Sequence, residues 1–114
     1  MKRKNLTKQQ RTAILQKYNC KCAYCGEDIT LKTMQVDHIH SIYNGGDNEI
    51  ENLNPSCRAC NFYKGAMDVE TYRTALLEIL PKTSIKTFQT RLAIKYGMIE
   101  VHPWDGKFYF EKLN

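Results

Sequence analysis

Two Cys-x-x-Cys pairs, Cys22/Cys25 and Cys57/Cys60, restrict what this chain can fold into more than any other feature of its sequence. Each pair fits one tight turn, and Gly26 after the first supplies an unusual backbone conformation there. Together they offer four thiolates, enough to close a tetrahedral shell around Zn²⁺ at about 2.3 Å. Four protein ligands leave no open position for a reacting molecule, so a zinc held this way is structural. A small chain needs such a staple. With 114 residues there is room for one compact domain, and a segment of about 60 residues within it buries too little apolar surface to stand alone. Cys20 makes the cysteine count odd, which argues against a disulfide framework and for metal binding. Its distance from Cys25 is not a knuckle spacing, so Cys20 reads as a free thiol, with replacement of Cys22 as a ligand the alternative.

The remaining sequence organises itself around these pairs. Thr7 can cap a helix running to about Tyr18, with Ile14, Leu15 and Tyr18 at helical spacing and Asn19 ending it. Met34, Val36 and Ile39 form a short run suited to a strand. The stretch from Ser41 to Ser56, dense in Gly, Asn and Asp, predicts a loop with no regular structure of its own. Residues 57–65 fit a short helix closed by Gly65. Asp68 is placed as the cap of a further helix carrying Val69, Tyr72, Leu76, Ile79 and Leu80, which Pro81 should stop. Ser84 is placed to cap the next, with Ile85, Phe88, Leu92 and Tyr96 as its apolar stripe and Gly97 at its end. In the tail, two β-prone runs around Pro103–Gly106 predict a hairpin, with Trp104 as core or as the hairpin's anchor. The expected division is a basic helical segment over 1–19, a metal-stapled core over 20–66, and a C-terminal extension over 67–114, all in one compact domain.

Charge points to a polyanionic partner. The net charge is +5, and Lys2, Arg3, Lys4, Lys8 and Arg11 crowd the N-terminal region, although a solvated basic face would read the same way. The first ten residues lack the apolar core of a signal peptide, and no apolar run approaches the roughly 20 residues of a membrane span. A soluble protein of the cytoplasm is the expectation.

Between the cysteine pairs lie residues suited to hydrolysing a phosphodiester. That reaction needs a deprotonated water, a Lewis acid for the charge developing on phosphate and leaving oxygen, and a rigid frame. The imidazole of His38 can accept a proton near neutral pH. The carboxylate of Asp37 and the amide oxygen of Asn61 are hard ligands suited to Mg²⁺. Adjacent residues of a regular strand face opposite ways, so the strand must twist or end at Asp37–His38 for both to serve one site. His38 and His40, two apart, would share a strand face and offer a joint metal site as the alternative. Lys64, one turn beyond Asn61, is a candidate phosphate contact or else a solvated lysine. Tyr24, Tyr43 and Tyr63 can stack on nucleotides or fill a small core. His102 is tied to none of these.

Read in order, the chain has C-x-x-C-G at Cys22–Gly26, V-D-H-I at Val36–Ile39, G-G at Gly45–Gly46, N-L at Asn52–Leu53, and C-x-x-C-N-x-x-K-G at Cys57–Gly65. In this pattern it resembles the HNH endonuclease family over about residues 20–65. The resemblance implies an α+β fold: a zinc-stapled ββα-metal unit of two short strands around a loop and then a helix, here with flanking helices and the C-terminal hairpin. It implies His38 as general base, Asp37 and Asn61 as ligands of a catalytic Mg²⁺ or Mn²⁺, and Asn52 as the residue whose hydrogen bonds hold the loop. Asn61 stands where the name-giving pattern has histidine, and an amide oxygen favours Mg²⁺ or Mn²⁺ over softer ions. The implied substrate is double-stranded DNA, with Lys64, His40, Lys2, Arg3 and Lys4 as candidate contacts. Short proteins of this kind resemble those of bacteriophages and mobile elements, which would make other phage proteins partners and the host cytoplasm the location. A catalytically silent zinc-binding nucleic-acid module, or a structural assembly component, is the rival reading.

Overall fold

A computed structural model describes residues 5–113 of the chain. The first helix, α1 (Lys8–Gln16), begins as its sequence dictates. The Thr7 hydroxyl accepts from the Gln10 amide at 3.1 Å, and the Gln10 side chain accepts from the Thr7 amide at 2.9 Å. The helix buries Ile14 and Leu15. Asn19 and Cys20 then both take positive φ, 57° and 62°, which turns the chain out of the helix and into the first cysteine pair. Arg11 donates to the Leu31 carbonyl at 3.1 Å, and Lys17 to the Leu53 carbonyl at 2.9 Å, tying α1 to the segments on both sides of the long loop.

Strand β1 (Gln35–His38) pairs antiparallel with β2 (Leu53–Ser56), in the register Gln35 with Ser56 through His38 with Leu53. The segment 41–56, expected to lack regular structure, therefore ends in a strand. Two single-turn 3₁₀ helices, Ile42–Asn44 and Ile50–Asn52, also interrupt it. Pro55 obscures the strand in the sequence because it has no N–H to give a ladder; a two-stranded sheet has only edge strands, which tolerate this. Its carbonyl accepts from the Ala23 amide at 2.8 Å, fastening the first cysteine turn to β2. Helix α2 (Arg58–Lys64) begins directly after it, its N-terminus capped by the Cys57 sulfur, which accepts from the Cys60 amide at 3.4 Å. Gly65 takes positive φ as α2 ends.

The chain divides into two compact units. One comprises the residues through Val69 together with those from Phe108; the other is Glu70–Lys107. Helix α3 (Val69–Thr74) passes through a π-helical turn (Ala75–Ile79) into α4 (Leu80–Ser84). Pro81 thus does not stop the helix. In the wider turn the Leu80 amide bonds the Ala75 carbonyl, five residues back, and Pro81 falls in the first turn of α4, where its missing N–H is tolerated. Ser84 ends α4 instead of capping α5 (Phe88–Lys95), whose cap is Thr87, its hydroxyl accepting from the Thr90 amide. Gly97 closes α5 as expected. Its amide bonds the Ile94 carbonyl while the Met98 amide bonds that of Ala93, the paired pattern of a Schellman turn. The apolar stripe of α5 is largely exposed, with Phe88 at 64% and Tyr96 at 71%.

The expected tail hairpin is absent: no strand occurs among the described residues after Ser56. Asp105 and Gly106 do form a turn, the Asp105 carboxylate accepting from the Lys107 amide, but the second β-prone run pairs elsewhere. The Tyr109 amide donates to the Tyr24 carbonyl and the Phe110 amide to that of Ala23, and Tyr109–Lys112 forms a 3₁₀ turn. Phe108, 1% exposed, meets the Tyr24 ring edge to face at 5.1 Å, and Phe110 packs on Tyr18 and Tyr24. Phe108→Ala should therefore lower unfolding stability by about 3–5 kcal/mol, read from denaturant melts; a loss below about 1 kcal/mol would show that this ring contributes little to the core.

Candidate functional site

The four cysteines of the two pairs come together. Their sulfurs all lie within 4.8 Å of one another, and those of Cys25 and Cys57 are 3.7 Å apart. A regular tetrahedron of sulfurs at zinc–sulfur bond length has edges of about 3.8 Å, so the donor set fits one Zn²⁺. Protonation fits too. A hydrogen bond with Cys60 pulls the Cys22 thiol down to about 4, whereas burial pushes the Cys25 thiol up to about 11. One thiolate is thus stabilised by thiol neighbours, but a set of four is not stable without a cation among them. Cys20 stays outside the cluster and exposed.

The second constellation lies where β1 ends. Asp37 and His38 are the last residues of β1, and both line a cleft of about 310 Å³ shared with Val36, Tyr43, Asn61 and Gly65. Adjacent in the strand, both nonetheless reach the cleft, Asp37 buried, 3% exposed, and His38 half-buried on the terminal rung. The Tyr24 hydroxyl donates to Asp37 Oδ2, and the Lys64 ammonium donates to Asp37 Oδ1 at 3.1 Å and to the His38 carbonyl at 2.8 Å. Burial raises the Asp37 carboxyl above the usual range, and the hydrogen bonds and charge of Tyr24 and Lys64 oppose that shift. Burial likewise pushes the Tyr24 hydroxyl up, keeping it a donor. Each Asp37 oxygen retains a further lone pair, and Asn61, which lines the same cleft, carries a second hard oxygen in its side-chain amide.

The loop between the strands is held from within. The Asn52 amide oxygen accepts from the His40 amide at 2.8 Å, and its nitrogen donates to the carbonyls of His40 at 2.9 Å and Asp47 at 2.7 Å. Asn52 also accepts from the Ile39 amide through its own carbonyl, so one residue fixes both limbs of the loop. Gly46 crosses so close that a Cβ there would lie 1.9 Å from the His40 carbonyl oxygen, which explains the second glycine of the pair. Asp68 completes the frame, accepting from the Ser41 amide at 2.8 Å and lying 3.3 Å from His40 Nδ1.

Several sequence expectations change here. Lys64 is no phosphate contact: it is 1% exposed and bound to Asp37. Tyr24 likewise belongs to the core. His38 and His40 do not share a metal, since His38 Nε2 meets Asn48 and His40 turns to Asp68. His40 is exposed and does not line the cleft. Tyr43 does line it and is 89% exposed. Lys2, Arg3 and Lys4 lie outside the described residues. The Tyr24 and Lys64 contacts to Asp37, and that of Asn48 to His38, have no counterpart among the sequence expectations; the lysine of the C-x-x-C-N-x-x-K pattern is the only local signal of them. Removing the buried cation with Lys64→Ala should destabilise the fold by about 3–5 kcal/mol. Tyr24→Phe, which deletes one hydrogen bond, should lose about 1–3 kcal/mol. Equal, small losses in both melts would contradict the buried pairing.

Comparison with known proteins agrees with this geometry. Residues 22–66 match the family model described as HNH endonuclease. The chain is 44% identical over 52 residues to the CRISPR-associated endonuclease Cas9 of Corynebacterium diphtheriae, a match covering 45% of this chain and 5% of that protein. In structure it is similar to the Type II-C Cas9 enzyme from Actinomyces naeslundii, with a TM-score of 0.51 and 28% identity over 59% of this chain and 8% of that one. The chain thus spans less than a tenth of either relative's length. The paired strands, the helix after them and the four-cysteine cluster, taken with these matches, make residues 22–66 a domain of the HNH endonuclease family.

Proposed function

We propose that this chain is a metal-dependent endonuclease that hydrolyses DNA phosphodiester bonds. The observation that carries the reading is the convergence of Asp37, His38 and Asn61 on one cleft within a domain of this family. His38 takes the proton of the attacking water, being half-buried and lining the cleft. Asp37 and Asn61 would hold one Mg²⁺ or Mn²⁺, whose chemistry is to stabilise the negative charge that builds on phosphate and departing 3′ oxygen. Lys64 and Tyr24 hold the Asp37 carboxylate in one orientation before substrate arrives. Asn52 fixes the loop that continues from His38.

The four cysteines hold a structural Zn²⁺, separate from the reaction. Double-stranded DNA is the proposed substrate, in keeping with the net charge of +5; exposed His40 and the N-terminal Lys2, Arg3 and Lys4 are the proposed backbone contacts. A phage or mobile-element setting, with partner proteins from the same source and a cytoplasmic location, belongs to the same proposal. No helix among the described residues is long and apolar enough to cross a membrane.

A plasmid assay with a metal series tests the reaction. The wild type should nick supercoiled DNA in Mg²⁺ or Mn²⁺, and His38→Ala should lose about 10²-fold or more in rate while keeping its zinc content and DNA binding. A wild type inert in Mg²⁺, Mn²⁺ and Ni²⁺ would instead favour a silent nucleic-acid-binding module. For the staple, metal analysis should return one tightly held zinc per chain, lost together with folding in Cys57→Ser. Folded protein free of zinc would refute that role.

A further inference from the structure

His38 has a partner that none of the motif positions supplies: its Nε2 lies 2.9 Å from the Asn48 side-chain oxygen. An amide oxygen can only accept, so this ring nitrogen carries the proton and the lone pair sits on Nδ1. We infer that Asn48 is a positioning residue that sets the tautomer and the ring angle of His38, so that Nδ1 is the nitrogen presented to the attacking water. This role rests on the endonuclease reading of the cleft.

The surroundings of Asn48 support the role. Its neighbour Asp47 is fixed twice, its carbonyl accepting from the Asn52 side chain at 2.7 Å and its carboxylate from the Glu49 amide at 3.1 Å. Gly46, on the other side, packs against the His40 carbonyl with no room for a side chain. The backbone leading into Asn48 is therefore held, and the Asn48 amide starts from a fixed base. Asn52 thus acts on His38 by two routes: through the backbone at Ile39 and His40, and through Asp47 to the residue that touches the ring. The contact also survives the reaction. When Nδ1 takes a proton from water, both ring nitrogens become donors, and Nε2 continues to donate to Asn48. Unlike a carboxylate, a neutral amide fixes the ring without adding negative charge next to the site that Asp37 serves.

Cleavage kinetics and ring nitrogen NMR, run on wild type, Asn48→Ala and Asn48→Asp in zinc-loaded protein, test this. Asn48→Ala should lower kcat about 10–100-fold with KM little changed, the usual scale for removing an orienting partner. Asn48→Asp keeps an acceptor oxygen and should recover most of that loss. The His38 nitrogen shifts should report the Nε2–H tautomer in wild type and a tautomer mixture in Asn48→Ala, a signature that loosening of the loop elsewhere would not produce. A wild type that cuts beside an undiminished Asn48→Ala, or a wild-type ring in the Nδ1–H form, overturns the positioning role alone. A wild type that cuts in no metal removes the endonuclease reading, and this role with it.

Discussion

The four sulfurs fix more than a turn. Cys57 belongs to the cluster and also caps α2, so the residue that completes the sulfur set decides where that helix begins. Asn61 directly succeeds Cys60, and Lys64 lies one turn on; the position of both is inherited from the cluster. On the other side, Ala23 and Tyr24 lie between Cys22 and Cys25. Through their backbones they bind Pro55 of β2 and receive Phe110 and Tyr109 of the tail. Tyr24 also sends its hydroxyl to Asp37. The sheet, the helix and the tail thus meet at one cysteine turn, where a metal ion held by the four sulfurs would supply cohesion that so small an apolar core cannot.

From that turn a buried polar chain runs to the cleft at the end of β1. An ion pair such as Lys64–Asp37, 1% and 3% exposed, is a poor way to gain stability, because desolvating two charges offsets most of their attraction. What it does supply is direction. A carboxylate in a half-empty cleft would rotate and, pushed by burial, take up a proton; the ammonium and the phenol oppose both. Since Lys64 also donates to the His38 carbonyl, one buried cation holds the Asp37 side chain and the His38 backbone together. Preorganisation of this kind is what electrostatic catalysis requires, since the polar groups need not reorganise as charge develops.

What could be read in the sequence and what could not divide on physical lines. Metal ligation and tight backbone approaches leave local marks: the cysteine pairs, the glycine pair and the Thr7 and Gly97 helix ends were all legible because each depends on a few neighbouring residues. The strand through Pro55, the helix through Pro81 and the destination of Phe108–Phe110 were not. In each, a distant partner or an adjacent register change overrides the local preference, as the π turn does for Pro81 and the Tyr24 turn does for the tail. The α5 stripe carried the right period, but period alone cannot say whether an apolar face is buried. At the candidate site, Asp37, His38 and Asn61 could be singled out by type and order, and the three line one cleft. Their supports were not, because lysine and asparagine usually lie at surfaces or in loops, and apart from the lysine of the C-x-x-C-N-x-x-K pattern nothing local marks the contacts of Tyr24, Asn48 and Lys64.

The long loop after β1 would ordinarily be a loose continuation of the strand that carries His38, since loops exchange conformations more readily than strands. Here the looseness is removed by side chains standing in for a ladder. Asn52 offers the His40 backbone one donor and one acceptor, as an opposing strand residue would, and so prolongs the β1–β2 pairing beyond His38 without requiring the backbone to stay extended. The backbone is then free to turn, bringing the Asn48 side chain to the His38 ring nitrogen. A true strand extension would have kept His38 and Asp37 on opposite faces. Ending the ladder at His38 and continuing its hydrogen bonds through an amide side chain is how two adjacent residues come to serve one cleft.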